Sequence, residues 1–590
     1  MYTKSLTTEE LAKDETSNLG SNIGSTIESE RFPITMDEFW FSIGPNVIVG
    51  PFDFVCVDNI YSTRTIGIIK ELRTVSNIHS IKQKTIGGMS TMAGQYDSDT
   101  ATIDNRDRLD QGTRIAKVAV MVNVQNKNDG QEGKSSNSVV VRMPVGIDAS
   151  VKFANSDEIL LALGIPKMED PVMAGVIEMT NGNKIAIPMA MSYLAGPDAA
   201  HINASGISGN LKTSYLLFLL HSLYQKLIKK NEVAIIVFNT REDDLLYIDE
   251  AQGTVTDRDS ELYKLLQISQ EPFRKVTYFL PRGIDGNPIS VHIPSNYQTY
   301  SYELNDIYDR LDLLLSSETY DPRYNLSAII NYIYESWPLK DKDGKTVTTW
   351  SDLVKYKDYP AEIITHKSTY LHFSGLLQKY KRSSMFTDKR ETSTYIGNEI
   401  GRIKAGDVFV IDIAMIPTVE EQSLVIGDVM KNIDELYSSR SNFEDVRHVY
   451  DADGQIIRSV EQSRRPKYLL IFIDEINRFL PQAYPMGRRT SVAEQITKTL
   501  IAGKSRDTIL LSAQQFKSAV DPILHDNTGI HMIAKLGMSE LSKSPYAMLD
   551  DTTKHNIVHM DKGEIVMIQP AIRHPVKVIF PRPPFKRLSR

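Results

Sequence analysis

The spacing of apolar and polar positions changes character along the chain. From about residue 35, short apolar runs broken by Gly and Pro predict strands: VIVGPFDFVCVDN (47–59), TRTIGIIKELRT (63–74), RIAKVAVMVNV (114–124) and SVVVRMPVG (138–146). The last two bracket QNKNDGQEGKSSN, which has no core material and predicts a polar loop. Residues 35–170 therefore read as a small antiparallel β-barrel, or alternatively as the edge of the domain that follows. Residues 1–34, rich in Ser, Thr, Asn and Gly at their start, read as a flexible tail.

From residue 171 the pattern becomes α/β. VMAGVIEM and KIAIPMA predict strands, SYLLFLLHSLYQKLIKK (214–230) an apolar helix, and NEVAIIVFN (231–239) a strand buried on both faces. Helical spacing then runs through ELYKLLQISQ, NDIYDRLDLLLSS, NLSAIINYIYESW, WSDLVKYK and YLHFSGLLQKYKRS, so 258–395 reads as a helical insertion. Its tyrosines have two readings, stacking on bases or packing between helices. Apolar strands return in GDVFVIDIA (406–414), KYLLIFIDE (467–475), TILLSAQ (508–514), HMIAKLG (531–537) and EIVMIQ (564–569). Alternating strands and helices predict a doubly wound parallel sheet, its first half at 171–257 and its second at 396–575. Residues 576–590 end in a Pro-rich, basic strap or tail.

Composition narrows the classes. The 590 residues leave room for about three or four domains. With 41% hydrophobic and 24% charged residues, the chain is neither disordered throughout nor collagen-like. Its single cysteine, Cys56, excludes an intrachain disulfide, argues against a Cys-based zinc site and fits a cytoplasmic location. No apolar run approaches the ~20 residues that span a bilayer, and the first residues lack the apolar core of a signal peptide. A net charge of −7 gives no global footprint for nucleic acid and leaves a local basic surface, such as a pore lining, as the electrostatic route.

Candidate chemistry concentrates in three places. HINASGISGNLKTSYLLFLL (201–220) runs from an apolar strand through a Gly/Ser loop into a helix. A phosphate cradle needs N–H groups at a helix N-terminus, a lysine for the β/γ-phosphates and a hydroxyl for Mg²⁺. Gly206, Ser208, Gly209, Asn210, Leu211, Lys212, Thr213 and Ser214 occupy those places, with Leu211 standing where the pattern GxxxxGK[ST] has its second glycine. A bland strand-to-helix turn is the other reading. KYLLIFIDEINRF (467–479) ends an apolar strand on Asp474 and Glu475. Such a pair can serve Mg²⁺ (Asp474) and polarise a water (Glu475), or cap a following helix. TILLSAQQF (508–516) ends a strand on two amides, of which Gln515, or Gln514 one register away, is placed to sense a terminal phosphate.

As an ordered series these segments resemble the HerA-type ATPases of the HerA/FtsK branch of P-loop motors. PVGIDASVKFANSDEILLALG, HINASGISGNLKTS, FNTREDDLLYID, IKAGDVFVIDIAMIP, LLIFIDEINRF, AGKSRDTILLSAQQFKSAVDPIL and DKGEIVMIQPAIRHPVKVIFP carry the likeness, which covers most of the chain from about residue 35. It implies an α/β fold with a RecA-like P-loop ATPase core, a helical insertion and an N-terminal β-barrel. It also implies a homo-hexamer using ATP and Mg²⁺ to move double-stranded DNA. A nuclease or sirtuin-type effector would dock at the barrel, in antiphage defence. Lys212 and Thr213 match the first nucleotide motif, Asp474 and Glu475 the second, and Gln515 the sensor. Where the family often carries a trans-acting arginine, this chain has Lys504, with Arg506 two residues on; the arginine that often precedes the His is Ala200 here, ahead of His201. Lys498, Lys504, Arg488 and Arg489 face either a DNA pore or solvent. The second functional reading is a nucleotide-binding ring scaffold that assembles and regulates a separate effector with little motor activity of its own.

Overall fold

The structure, a computed structural model, describes residues 22–60, 63–75, 113–126, 138–140, 142–195, 200–209, 211–242, 245–253, 255–315, 325–364, 366–438, 446–450, 455–461, 465–484 and 487–587. Residues 1–21 of the expected tail and 127–137 of the expected polar loop lie outside them. The chain divides into two compact units, Met1–Ala190 with Ala547–Ile579 and Met191–Tyr546 with Phe580–Arg590.

In the first unit, β1 (Asn22–Ile27), β2 (Glu38–Ile43), β3 (Phe54–Asp58), β4 (Thr63–Val75), β5 (Thr113–Asn126) and β7 (Ser150–Phe153) close into an antiparallel barrel, with β6 (Ser138–Val140) added beside β5. Closure comes from β2 pairing with β5 as well as with β1, which removes the free sheet edges. Strand β1 corrects the reading of residues 1–34 as a tail. NIGSTI is polar by composition, yet Ile23, Thr26 and Ile27 are buried in the wall. The Thr26 hydroxyl is fully satisfied: it donates to Gly146 O at 2.7 Å and accepts from Ala149 N–H at 2.8 Å. A hydroxyl paired this way is buried without a desolvation penalty, and composition alone cannot reveal that. The same unit holds a four-stranded antiparallel sheet of order β20-β21-β8-β9, formed by β8 (Val172–Glu178), β9 (Lys184–Met189), β20 (Glu564–Ile568) and β21 (Val576–Ile579).

The second unit is built on β10 (Ile202–Ser205), β11 (Val233–Asn239), β12 (Val276–Pro281), β13 (Tyr297–Tyr300), β14 (Val408–Asp412), β17 (Tyr468–Ile473), β18 (Thr508–Gln514) and β19 (Ile530–Ile533). Their order is β13-β12-β14-β11-β17-β18-β10-β19, and every pairing among them is parallel. All residues of β11, β14 and β18 are buried, as expected for strands covered on both faces. Helices α1 (Lys212–Ile228), α2 (Val419–Ser438) and α3 (Ser491–Arg506) accompany this sheet. A separate hairpin pairs β15 (Val446–Tyr450) with β16 (Ile456–Glu461). The α/β class expected from the alternation of elements is the class the chain adopts.

The block read as a helical insertion does carry helices, among them Asn325–Glu335, Trp350–Lys355 and Lys367–Lys381. It also supplies β12 and β13 to the sheet, because VTYFLP is a short apolar run that helical periodicity does not register. Several of its tyrosines are core: Tyr300, Tyr302, Tyr380 and Tyr395 are all but fully buried, whereas Tyr297 and Tyr334 are exposed, and Trp350 donates its indole N–H to Tyr302 O at 3.1 Å. One continuous apolar cluster runs from Ile236, Ile411 and Ile471 of the sheet through Val425 and Val429 of α2 to Trp350.

Inside that cluster sits a charged lock. Arg310 is wholly buried and ion-pairs with the equally buried Asp428 of α2, while its second nitrogen lies 3.3 Å from Glu435. The Tyr395 hydroxyl donates to Asp428 at 2.9 Å, and Asn432 donates to the same oxygen at 3.1 Å. Burial pulls the Arg310 guanidinium down, but Tyr395 and the carboxylates of Asp428, Asp309 and Glu435 together hold it well above its ordinary pKa. Removing one partner of such a pair strands a buried charge, so Asp428→Ala should lower unfolding stability by about 3–5 kcal/mol. Urea titration of the variant beside the parent checks this, and a loss below about 1 kcal/mol would mean that the pair is only surface-grade.

Candidate active site

The three sequence features converge because β17, β18 and β10 are neighbours and parallel, which puts their C-terminal exits side by side. The loop after β10 is held between two other exits. Gly206 N–H donates to Gln515 O at 3.1 Å, and Ile207 N–H donates to Lys535 O at 3.1 Å. A Cβ on Gly206 would stand 2.7 Å from the Ala534 Cβ, so close approach of the two loops requires glycine there. Ser208 and Gly209 are exposed, and Asn210 lies outside the described residues. Leu211 caps α1 with φ 61° and ψ 19°, the left-handed conformation that favours glycine. The leucine thus keeps the backbone course that a glycine would take, at a strain of order 1 kcal/mol.

Helix α1 starts at Lys212, and the first intrahelical bond is donated by Tyr215 to Leu211 O at 2.8 Å. The N–H groups of Lys212, Thr213 and Ser214 precede that first bond, and they sit at the positive end of a 17-residue helix. The Thr213 hydroxyl donates to Asp474 Oδ2 at 3.0 Å. Asp474 is buried, and its other oxygen accepts the Glu475 N–H at 2.9 Å. The Lys212 side chain is 5% exposed, with its ammonium 3.8 Å from Glu475 Oε1.

Glu475 has φ 51° and makes no side-chain cap on the short turn Ile476–Arg478, so the helix-cap alternative does not describe it. It is instead ion-paired with Arg241, which leaves β11 two residues past its end. A buried carboxylate facing two cations is electrostatically compensated. In FNTREDDLLYID the one signal for Arg241 is its place at the exit of a strand buried throughout, beside a strand that ends in two acids.

The amides separate cleanly. Gln514 is buried and locked to Asn203 of β10 by reciprocal bonds of 2.7 and 2.8 Å. Gln515 is half-buried at the bend after β18. A lone Asn in an apolar strand carries no sequence signal, so the pairing of Asn203 is legible only in the fold.

Arg506 ends α3 and is ion-paired with Asp434 of α2, and Lys504 lies in the same helix. Both precede β18, so they lie at the opposite end of the strand from Gln515, roughly 20 Å away by strand length. Neither belongs to this chain's own cluster. Lys498, Arg488 and Arg489 are exposed, and Arg489 is ion-paired with Asp521 at 2.7 Å.

His201 is structural. Its Nδ1 accepts from Leu510 N–H at 2.9 Å, so the proton sits on Nε2, which donates to Leu500 O at 3.0 Å. The glycine of AGKSR makes room for it: a Cβ on Gly503 would lie 2.3 Å from the imidazole.

No family model matches the chain, and no curated protein matches it. Among solved structures, it is similar to the bacterial conjugative coupling protein TrwBdeltaN70 in an unbound form (TM-score 0.40, 12% identity, 72% of this chain and 94% of that one). It is similar to the plasmid coupling protein TrwB in complex with ADP and Mg²⁺ (0.37, 13%, 68% and 89%). A third similar structure is the genome packaging NTPase B204 from Sulfolobus turreted icosahedral virus 2 with ATP-gammaS (0.20, 9%, 31% and 72%). Scores and identities this low transfer no activity, so function has to be argued from the chain's own side chains.

Burial pushes His201, His221 and His525 down to about 4 from an ordinary 6.5. The folded state keeps these rings neutral, whereas the unfolded chain protonates them below about pH 6.5. Their contribution is complete above that pH and is lost as the pH falls toward 4. Melting temperature should be level near neutrality and drop across this window. His221→Gln, which retains a donor for Glu271 O, should show a shallower drop; a parent curve flat to pH 4 would refute the assignment.

Proposed function

We propose that the chain is a P-loop ATPase that binds Mg-ATP at the exits of β10, β17 and β18. The observation that carries this reading is the hydrogen bond from Thr213 to Asp474, with Lys212 and Glu475 alongside it at the N-terminus of α1. Lys212 and the N–H groups of the first turn suit the β- and γ-phosphates. Thr213 and Asp474 form an all-oxygen pair whose hydroxyl and carboxylate would hold Mg²⁺. Bound there, the ion would neutralise charge on the β- and γ-phosphate oxygens. Glu475 accepts a proton from the attacking water as the water oxygen bonds to the γ-phosphorus and the bond to the β–γ bridging oxygen breaks, releasing ADP. For this, Glu475 must exchange its pairing with Lys212 and Arg241 for water. Gln515, beside the loop, reads the γ-phosphate.

Work on double-stranded DNA by a homo-hexamer is the coupled activity that the family resemblance supports, with Arg506 or Lys504 offered across a subunit boundary. Both precede β18, a strand length from their own chain's cluster, so any part they take in hydrolysis would be in a neighbouring subunit's site. The pairing of Arg506 with Asp434 favours the slower reading, a nucleotide-gated ring that regulates an effector docked on the barrel. The ATPase rate with and without duplex DNA separates the two.

Two substitutions test the core of the proposal. Lys212→Ala should weaken ATP binding by about two orders of magnitude, because a charge-assisted contact contributes up to about 3 kcal/mol; isothermal titration reads this directly, and unchanged affinity would remove the phosphate cradle. Glu475→Gln should keep ATP bound while turnover falls by about 10²–10⁴-fold, the usual worth of a positioned base. Phosphate release at parental speed from that variant would return Glu475 to a structural role.

A further inference from the structure

The tail of the chain returns to the first turn of α1. Phe580 packs edge-on against Tyr215, with ring centroids 4.9 Å apart, and stacks near Phe218. Arg582 ion-pairs with Asp259 at 2.9 Å, and its carbonyl accepts from the Tyr263 hydroxyl at 2.7 Å. Phe585 is 1% exposed and packs on Phe273. Lys586 donates its backbone N–H to Glu250 O at 2.9 Å, and its ammonium reaches Glu250 Oε2 at 2.7 Å. This strap is therefore pinned along its length, and it delivers one more side chain: Arg587 Nη1 donates to Ser214 Oγ at 2.6 Å.

Ser214 follows Thr213, and successive helical residues point about 100° apart. Thr213 faces Asp474, so Ser214 presents a different side of the same first turn to the strap. A nucleotide whose γ-phosphate lies at Asp474 and Glu475 extends away from them across that turn. Its α-phosphate then falls on the Ser214 side, beside the first-turn N–H groups. Lys212, the cation of the loop, is directed to the Glu475 end. A planar guanidinium held at Ser214 has the donor geometry to grip a phosphate oxygen.

We infer that Arg587 is a nucleotide ligand, contributed by the C-terminal strap, that binds the α-phosphate. This rests on the P-loop reading above. The strap is thereby part of the binding site, and the hydroxyl of Ser214 holds the guanidinium in place when nucleotide is absent.

The test is titration of the full-length protein with ATP and with ADP. Arg587→Ala should weaken both about tenfold or more and to the same degree, since both carry the α-phosphate. Arg587→Lys, which keeps a charge without the fork, should fall between parent and alanine variant. Lys586→Ala, which removes a neighbouring strap cation that pairs with Glu250 and not with Ser214, should bind as the parent does. Parental affinity in Arg587→Ala, a loss confined to ATP, or an equal loss in Lys586→Ala would overturn the inference, the last by making the effect one of strap charge in general. Lys212→Ala in the same series keeps the two claims apart: if it too binds normally, the P-loop reading fails; if it alone fails to bind, only the role of Arg587 does. Arg587 lies at the end of the strap beyond the buried Phe585, so the nucleotide-free melting temperature of its variants should match the parent and show that folding is intact.

Discussion

The hydrogen bond between Thr213 and Asp474 joins residues 261 positions apart, and the candidate site depends on it. Neither group is useful alone. A threonine in the first turn of a helix and an aspartate at the end of an apolar strand are each ordinary. What brings them within 3.0 Å is the parallel order β17-β18-β10, which aligns three strand exits on one edge of the sheet. The intervening β18 sets the spacing between them, and its own exit carries the amides. Parallel pairing demands long crossover connections, and the helical block between the two halves of the core is accommodated in one of them.

Buried charge is managed by the same rule at two distant places. At the site, Glu475 sits between Lys212 and Arg241. In the helical block, Arg310 sits among Asp428, Glu435 and the Tyr395 hydroxyl. Desolvation of any one of these groups alone is prohibitive, and mutual pairing offsets it. The difference is exposure. Arg310 is sealed and static, whereas the Arg241 side chain is 40% exposed and can be displaced by a competing anion. An ion pair with one partner open to solvent suits a group that must change partners; a sealed one suits a fixed joint between elements.

Strand β10 is held with similar care. Its register is fixed from one side by the Asn203–Gln514 amide pair, which makes Gln514 a structural partner and leaves the half-buried Gln515 as the amide at the strand exit. It is fixed at its start by His201, whose ring fits only because Gly503 has no side chain. The segment AGKSR thus owes its glycine to packing against an imidazole. Read as a string, it suggests a cationic motif; in three dimensions its Arg506 is paired with Asp434 on the far edge of the sheet.

What the sequence determined by itself is local. Continuous apolar runs announced the buried strands, helical spacing announced α1 and the helices of the block, and the Gly/Ser loop and the Asp-Glu pair marked the two halves of the site, because burial and backbone geometry impose periods and residue types that survive in one dimension. Where composition opposed geometry, the string misled: NIGSTI reads as tail and forms a barrel strand, since the satisfied hydroxyl of Thr26 is invisible without its partners. Tertiary structure alone decided which strands are neighbours, which glutamine is locked to Asn203, that Arg241 faces Glu475 and that Arg587 reaches Ser214. Each of those is a contact between residues far apart in the chain, set by sheet order and by the path of the strap, and no local pattern encodes a partner that lies hundreds of residues away.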